Sequence, residues 1–439
     1  MLTIKEKIAY GLGDTASNII FQTVMLFLSY FYTDIFGISP AVVGTLFLVV
    51  RIFDAVTDPM MGAIIDRTHT KWGQFRPYLL WFALPFGLMS VITFTTPQLS
   101  YSGKVIYAFV TYSLLMMVYT AINIPYSALG AALTADHQER VSVQSFRFVC
   151  GMSGGLLVTG LTLPLVHWFG QGDNAKGYQL TMVVMSIIGI ILFLLCFLGT
   201  KERVHTVEHN RQSIKQDLVL LWRNDQWKVL CVAAILLLTG MVLRNTLAIY
   251  YVKYYLMRPD LITLFVTIGM IGNILGAACA QPLAKRVNKI KAYIGLQLIA
   301  ALICVASYFI TQQQLTLAMI AYFSWGFFLQ MATPLLWAKI ADTVDYGQWQ
   351  SGIRLTGLVY SSVVFFIKLG LALGGSIAGW LLAFYHYKAA VTQSLFTQHG
   401  ILLSFTLLPA IASVLVALVM RWYTLDNQKL HDIQQQLNL

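Results

Sequence analysis

Apolar runs of about 20 residues or more recur along the whole chain, and a run of that length is what a helix needs to cross the hydrocarbon core of a bilayer. Twelve such segments can be drawn, at roughly 9–36, 42–65, 77–97, 104–133, 143–167, 178–199, 228–256, 261–284, 290–311, 315–341, 354–385 and 398–423. The composition agrees. Only 11% of the 439 residues are charged and 58% are hydrophobic, whereas a soluble domain carries about 25% charged residues. So little charge cannot coat a soluble protein of this size, so a lipid-facing surface is expected.

The loops between the runs carry the topology signal. Of 29 Lys and Arg, 19 fall on one side of the proposed membrane, five on the other and five within spans. Because cytoplasmic loops carry the excess of Lys and Arg, both termini are expected in the cytoplasm. The net charge of +11 then reads as topology rather than nucleic-acid binding, since no basic patch with interleaved aromatics forms a domain. Cys150, Cys196, Cys231, Cys279 and Cys304 each lie in an apolar run with no paired or metal-ligating spacing, and read as small core residues. The first run follows Lys5, Glu6 and Lys7, is longer than a signal-peptide core and lacks a small-residue cleavage site. It reads as an uncleaved first span.

The longest polar connection divides the chain. The expected organisation is a six-helix bundle at 1–200, a cytoplasmic middle loop at 201–227, a second six-helix bundle at 228–424 and a cytoplasmic tail at 425–439. Residues 213–222 can form an amphipathic helix on the inner membrane face, or belong to a plain linker. A small-residue helix end followed by basic residues occurs after span two and again after span eight, a faint internal repeat of the kind that builds transporters.

Ionisable groups at membrane depth are costly and generally line a cavity or pair with one another. Span two carries Arg51, Asp54 and Asp58 at spacings that share one helix face. Paired carboxylates there suit Na⁺ through oxygen ligands, or a shared and released proton. Pro59 frees a backbone carbonyl one turn earlier. Span one carries Asp14 and Asn18 on one face as candidate sugar-binding residues; Asp14 also reads as a helix cap. Span four carries Thr120, Asn123, Tyr126 and Ser127, hydroxyl, amide and aromatic groups that suit a sugar or serve as polar glue between helices. Arg147, Arg244 and Lys368 are buried bases whose acidic partners must come from Asp14, Asp54 and Asp58. At the inner end of span ten, Asp342 and Asp345, with Arg354, Arg67 and Arg140, form a candidate inner gate; ordinary solvated loop charge is the alternative.

Four segments together resemble one family: Arg51-Ile52-Phe53-Asp54-Ala55-Val56-Thr57-Asp58-Pro59, Lys71-Trp72-Gly73-Gln74-Phe75-Arg76-Pro77, Asn123-Ile124-Pro125-Tyr126 and Ala341-Asp342-Thr343-Val344-Asp345-Tyr346-Gly347. They are similar to the glycoside–pentoside–hexuronide:cation symporters, the family of the melibiose carrier within the major facilitator superfamily. The resemblance runs from about Lys5 to Thr424. It implies an all-α membrane protein of twelve transmembrane helices in two pseudo-symmetric bundles. It also implies cation-site roles for Asp54, Asp58 and Thr120, a sugar-site role for Arg147, and a place near both sites for Lys368. Asn18 and Asn123 stand where the melibiose carrier has sugar-binding aspartates, Thr57 where it has a cation-site asparagine, and Ser127 where it has a tryptophan.

These departures point away from melibiose and leave the coupling ion open between H⁺ and Na⁺. The expected activity is cation-coupled uptake of a pentoside- or xyloside-like glycoside by a monomeric carrier of the bacterial inner membrane. A hexuronide such as a glucuronide is the alternative cargo, and exchange or efflux the alternative mode. No cofactor is expected, and no metal beyond Na⁺ at Asp54 and Asp58. A membrane-embedded enzyme is disfavoured because no His or carboxylate cluster faces an aqueous catalytic loop. A channel is the other rival.

Overall fold

The computed structural model describes residues 2–66, 68, 70–134, 137–203, 214–353, 355–389 and 391–436. The described chain forms two compact units, one built from the helices before the middle connection and one from those after it.

The first unit contains α1 (Ile4–Thr23), α2 (Pro40–Asp66), α3 (Arg76–Thr93), α4 (Tyr101–Ala132), α5 (His137–Gly170) and α6 (Asn174–Gly199). A capping box opens α1, with Thr3 and Glu6 each taking up the other's backbone N–H. Two π-helical turns, Val24–Leu28 and Phe31–Ile35, follow α1. They end in an aromatic cluster of Phe31, Phe36, Phe94 and Tyr178.

The second unit contains α7 (Ile214–Arg223), α8 (Asp225–Tyr250), α9 (Ile262–Arg286), α10 (Lys289–Tyr308), α11 (Leu315–Ser351), α12 (Thr356–Phe384), α13 (Leu395–Val419) and α14 (Asn427–Gln436). Residues 214–223 are thus a helix rather than a plain linker, with Leu218, Val219 and Trp222 exposed. The tail, which carries no apolar run, also forms a helix. The Trp349 indole on α11 donates to Gln436 at 2.6 Å, and Lys429 lies over the Tyr346 ring. Helix α11 continues past residue 341, so Asp342 and Asp345 stand inside it, and it stops at Gly352 in the left-handed region.

The internal repeat is strong at the level of helix pairing. In the first unit α1 packs on α5 and α6, α3 on α4 and α6, α2 on α4, and α5 on α6. In the second, α8 packs on α12 and α13, α10 on α11 and α13, α9 on α11, and α12 on α13. The correspondence extends to detail. A π-helical turn follows α8, at Tyr251–Tyr255, as one follows α1. The helices α5 and α12 approach their partners through glycines: a Cβ at Gly154 would meet the Thr15 backbone, and one at Gly374 the Thr239 backbone.

Among the described residues, nine helices are long and apolar enough to cross a membrane. They correspond to α4–α6 and α8–α13. The other three positions where the sequence suggests spans are occupied by α1, α2 and α3. Polar residues dilute α1, among them Asp14, Ser17, Asn18 and Gln22. Arg51, Asp54 and Asp58 stand in α2, and α3 has only 18 residues, one of them Arg76.

Candidate functional site

The first unit gathers most of the residues that the sequence singles out. Its geometry starts from the α1–α5 contact, where Gly151 and Gly154 present no side chain to α1. A Cβ on Gly151 would fall on the Asp14 carboxylate. That bare surface lets Asp14 reach Arg147, one turn earlier on α5. Arg147 Nε donates to Asp14 Oδ1 at 3.0 Å, and a terminal nitrogen donates to the Ser127 hydroxyl on α4 at 3.3 Å. Asn18 Nδ2 donates to the Asp14 carbonyl at 2.9 Å and to its Oδ2 at 3.3 Å. Asp14 is therefore the hub of an Asn18–Asp14–Arg147–Ser127 string rather than a helix cap.

Tyr126 is fully buried and stacks on Tyr10 with ring centroids 4.9 Å apart. Its hydroxyl donates to the Tyr10 carbonyl at 2.8 Å. The Arg147 guanidinium lies 5.1 Å from the Tyr126 ring centroid. The ring thus joins α1 to α4 and supports Arg147, and in this structure it offers no open face for a sugar to stack on. The partly exposed aromatics nearby are Phe21 and Tyr119, stacked at 5.5 Å. Asn123 is half-buried, and its amide makes no hydrogen bond among the described residues.

On α2 the expected shared face is realised. Arg51 and Asp54 pair at 3.1 Å, almost fully buried, and Arg51 lies 6.0 Å from the Phe21 ring centroid. The next carboxylate along, Asp58, accepts a 2.9 Å hydrogen bond from the Thr120 hydroxyl on α4. The Thr57 hydroxyl instead turns back to the Asp54 carbonyl at 3.3 Å. Asp58 and Thr120 thus bring a carboxylate and a hydroxyl oxygen together between α2 and α4, hard ligands of the kind a small cation takes.

Arg244 departs from expectation. It is fully buried in the second unit, yet no carboxylate lies within ion-pair distance among the described residues. Its charge is met by rings: the guanidinium stands 4.5 Å from Phe405, 4.8 Å from Trp325 and 5.9 Å from Tyr322. It also donates to the Cys304 thiol and the Ser307 hydroxyl. Ring quadrupoles and side-chain dipoles can satisfy a buried guanidinium that lacks a counter-ion. Lys368 is half-buried on α12.

Of the candidate gate, Asp342 is half-buried and Asp345 buried on α11. Arg67 and Arg354 lie outside the described residues, as does the side chain of Arg140. Glu202, which no sequence motif marks, clasps the Lys71–Pro77 motif. Its two carboxylate oxygens accept from the backbone N–H groups of Gln74, Phe75 and Arg76 at 2.8, 2.8 and 2.9 Å. The loop can present three donors to one carboxylate because Gly73 turns it at a φ of 107°. Arg76 donates in turn to the Phe197 carbonyl at 2.7 Å, tying the start of α3 to the end of α6.

Deep acids and bases, paired across helices of a repeated bundle, are the construction of a secondary transporter. Comparison with known proteins agrees. The family model described as MFS/sugar transport protein matches residues 9–427. The chain is 42% identical to the inner membrane symporter YicJ of Escherichia coli K12, over all of this chain and 95% of that one. It is 40% identical to the putative glycoside/cation symporter YagG of the same organism, over 99% and 95% of the two chains. The isoprimeverose transporter of Lactiplantibacillus pentosus is 34% identical over 99% and 92%. Among solved structures, a bacterial homolog of the human lysosomal transporter Spinster superposes with a TM-score of 0.69 at 13% identity, over 96% of this chain and 98% of that one. That likeness shows the major facilitator fold.

The chain therefore belongs to the MFS/sugar transport family, and within it to the glycoside–pentoside–hexuronide:cation symporters. It is a multi-pass transporter of the bacterial inner membrane.

Proposed function

We propose that this carrier imports a neutral pentoside- or xyloside-like glycoside together with H⁺ or Na⁺, by alternating access of a twelve-span monomer with both termini inside. The coupling cation binds at Asp54 and Asp58, with Thr120 and Thr57 beside them. Asn18, Asn123, Ser127, Arg147 and Lys368 serve the sugar, and Tyr126 supports Arg147. Arg51 balances Asp54 within the first unit, and Arg244 holds a positive charge among rings in the second. Asp342, Asp345, Arg354, Arg67 and Arg140 are the inner-side charges whose pairing changes through the cycle. Cation binding on α2 raises sugar affinity, and by linkage the sugar raises cation affinity by the same factor.

The observation that carries this reading is the Thr120–Asp58 contact at 2.9 Å beside the sealed Arg51–Asp54 pair. It puts a hydroxyl and a carboxylate from two helices at one point, next to a carboxylate already neutralised. YagG is named as a putative glycoside/cation symporter and the pentosus relative as an isoprimeverose transporter, which favours the glycoside over the hexuronide.

Uptake of labelled xyloside into vesicles, driven by an imposed Na⁺ or pH gradient, tests it. With Na⁺ as the driving ion, Thr120→Val raises the half-saturating concentration about tenfold, the equivalent of losing one hydrogen-bonding ligand. Thr120→Ser restores it. Uptake that responds to neither gradient contradicts the proposal.

A further inference from the structure

Helix α7 lies outside the spans, and its apolar residues serve two different surroundings. Leu220 and Leu221 line a small cavity with Val344 of α11 and Val359 of α12, which seats the helix on the second unit. Leu218, Val219 and Trp222 are instead 49%, 54% and 66% exposed. Spacings of three and four place them in one stripe. The stripe is anchored at its end. The Trp222 ring stands edge-on to Trp227 at 6.2 Å, and the Trp227 indole donates to the Ser362 hydroxyl on α12 at 2.9 Å.

Two bases stand at that same end. Arg223 is exposed, and the Lys228 ammonium lies 5.2 Å from the Trp222 ring centroid. Neither pairs with a carboxylate among the described residues. The acid closest to them in the chain, Asp225, accepts from the Gln226 amide at 2.6 Å and from the Tyr346 hydroxyl at 2.9 Å.

The neighbouring span says what covers this face. Only Asn224 separates α7 from α8, which is long and apolar enough to cross a membrane from Asp225 onward. The short link holds α7 at the membrane boundary. One turn beyond Lys228, Val232 is 45% exposed, so the outward stripe runs from α7 past Lys228 onto the lipid-facing side of α8. An amphipathic helix with tryptophan beside basic residues has the composition of a membrane-surface segment.

We infer that α7 is a lipid-binding helix: Leu218, Val219 and Trp222 enter the leaflet around the start of α8, and Arg223 and Lys228 hold the phosphate of an anionic phospholipid. Such a lipid supplies both parts at once, acyl chains for the stripe and a negative charge for the two bases. A zwitterionic headgroup carries its own ammonium beside the phosphate and gains less from them. The inference stands apart from the reading of the sugar and cation sites.

The test uses the full-length carrier in phosphatidylethanolamine–phosphatidylglycerol vesicles that carry a trace of acyl-photoactivatable phosphatidylglycerol or phosphatidylcholine. Cross-links are mapped by mass spectrometry and normalised to the stretch Ile187–Ile191 of α6, whose ends are both exposed and apolar. Each base beside an anionic headgroup contributes about fivefold. In wild type the stretch Leu218–Lys228 should therefore be labelled up to about 25-fold more by phosphatidylglycerol than by phosphatidylcholine. Arg223→Gln lowers that ratio about fivefold, Arg223→Lys keeps it, and Arg223→Gln with Lys228→Gln removes it. Should the double variant not be recovered, the two Arg223 variants carry the comparison, since this side chain is exposed. Equal labelling by the two lipids, or a preference unchanged in Arg223→Gln, overturns the anionic site. Labelling of α6 without labelling of Leu218–Trp222 overturns the lipid contact itself and leaves this face to water or to another protein.

Discussion

Replacing Glu202 by Ala should release the loop that leads into α3. The carboxylate accepts three backbone N–H groups at 2.8–2.9 Å, at the end of a helix where the macrodipole favours negative charge. Hydrogen bonds to a charged group contribute about 1.5–3 kcal/mol each when the alternative is an unsatisfied donor. Glu202 is only half-buried, so water takes over part of the task, and the net loss for the set is about 2–4 kcal/mol. At 1.4 kcal/mol per decade, that is a fall of about 30- to 700-fold in amide protection. Hydrogen–deuterium exchange of a peptide covering Gln74–Arg76 measures it directly. Glu202→Gln, which keeps one acceptor oxygen and loses the charge, should lie between wild type and Ala. Unchanged exchange in the Ala variant would refute the clasp.

Two other outcomes follow from the packing. Gly151→Ala places a methyl on the Asp14 carboxylate; overpacking of this kind costs about 1–3 kcal/mol, visible as a lower melting temperature together with weaker sugar binding, whereas Gly160→Ala, which meets nothing within 4 Å, should be neutral or slightly stabilising. At the start of α1, burial tends to raise the Glu6 carboxyl, but hydrogen bonds from Arg203 and Thr3 outweigh it and hold the group below its ordinary value of 4.5. The stabilisation it gives is thus fully present above pH 4.5 and is lost as pH falls through the lowered value. For a pair this exposed the contribution is about half a kcal/mol, so Glu6→Gln should lower stability slightly at pH 7 and not at all in strong acid.

The elements that could be read from the sequence are those set by local periodicity. Apolar run length marks the long helices, and spacings of three and four put Arg51, Asp54 and Asp58 on one face. Partners across helices were harder. Nothing near Asp14 in the sequence says that Arg147 is its counter-ion; the pairing depends on two glycines on α5 that clear the way. Tyr126 reads equally as a sugar platform or as core, because an aromatic ring fits both, and only its burial against Tyr10 separates them. The acid sought for Arg244 is replaced by three rings from helices distant in the chain. Glu202 clasps a loop some 130 residues away, and the tail helix lacks an apolar run because it lies against α11 rather than in lipid.

The central claim is that sugar and cation move together through the carboxylates of α2. It is tested most directly by sugar-induced pH change in lightly buffered, de-energised cells expressing the carrier, with and without Na⁺, alongside Asp58→Asn. The account predicts alkalinisation on adding a xyloside, or its replacement by Na⁺-stimulated sugar accumulation, with either response lost in Asp58→Asn. Coupled uptake that persists undiminished in Asp58→Asn would contradict it.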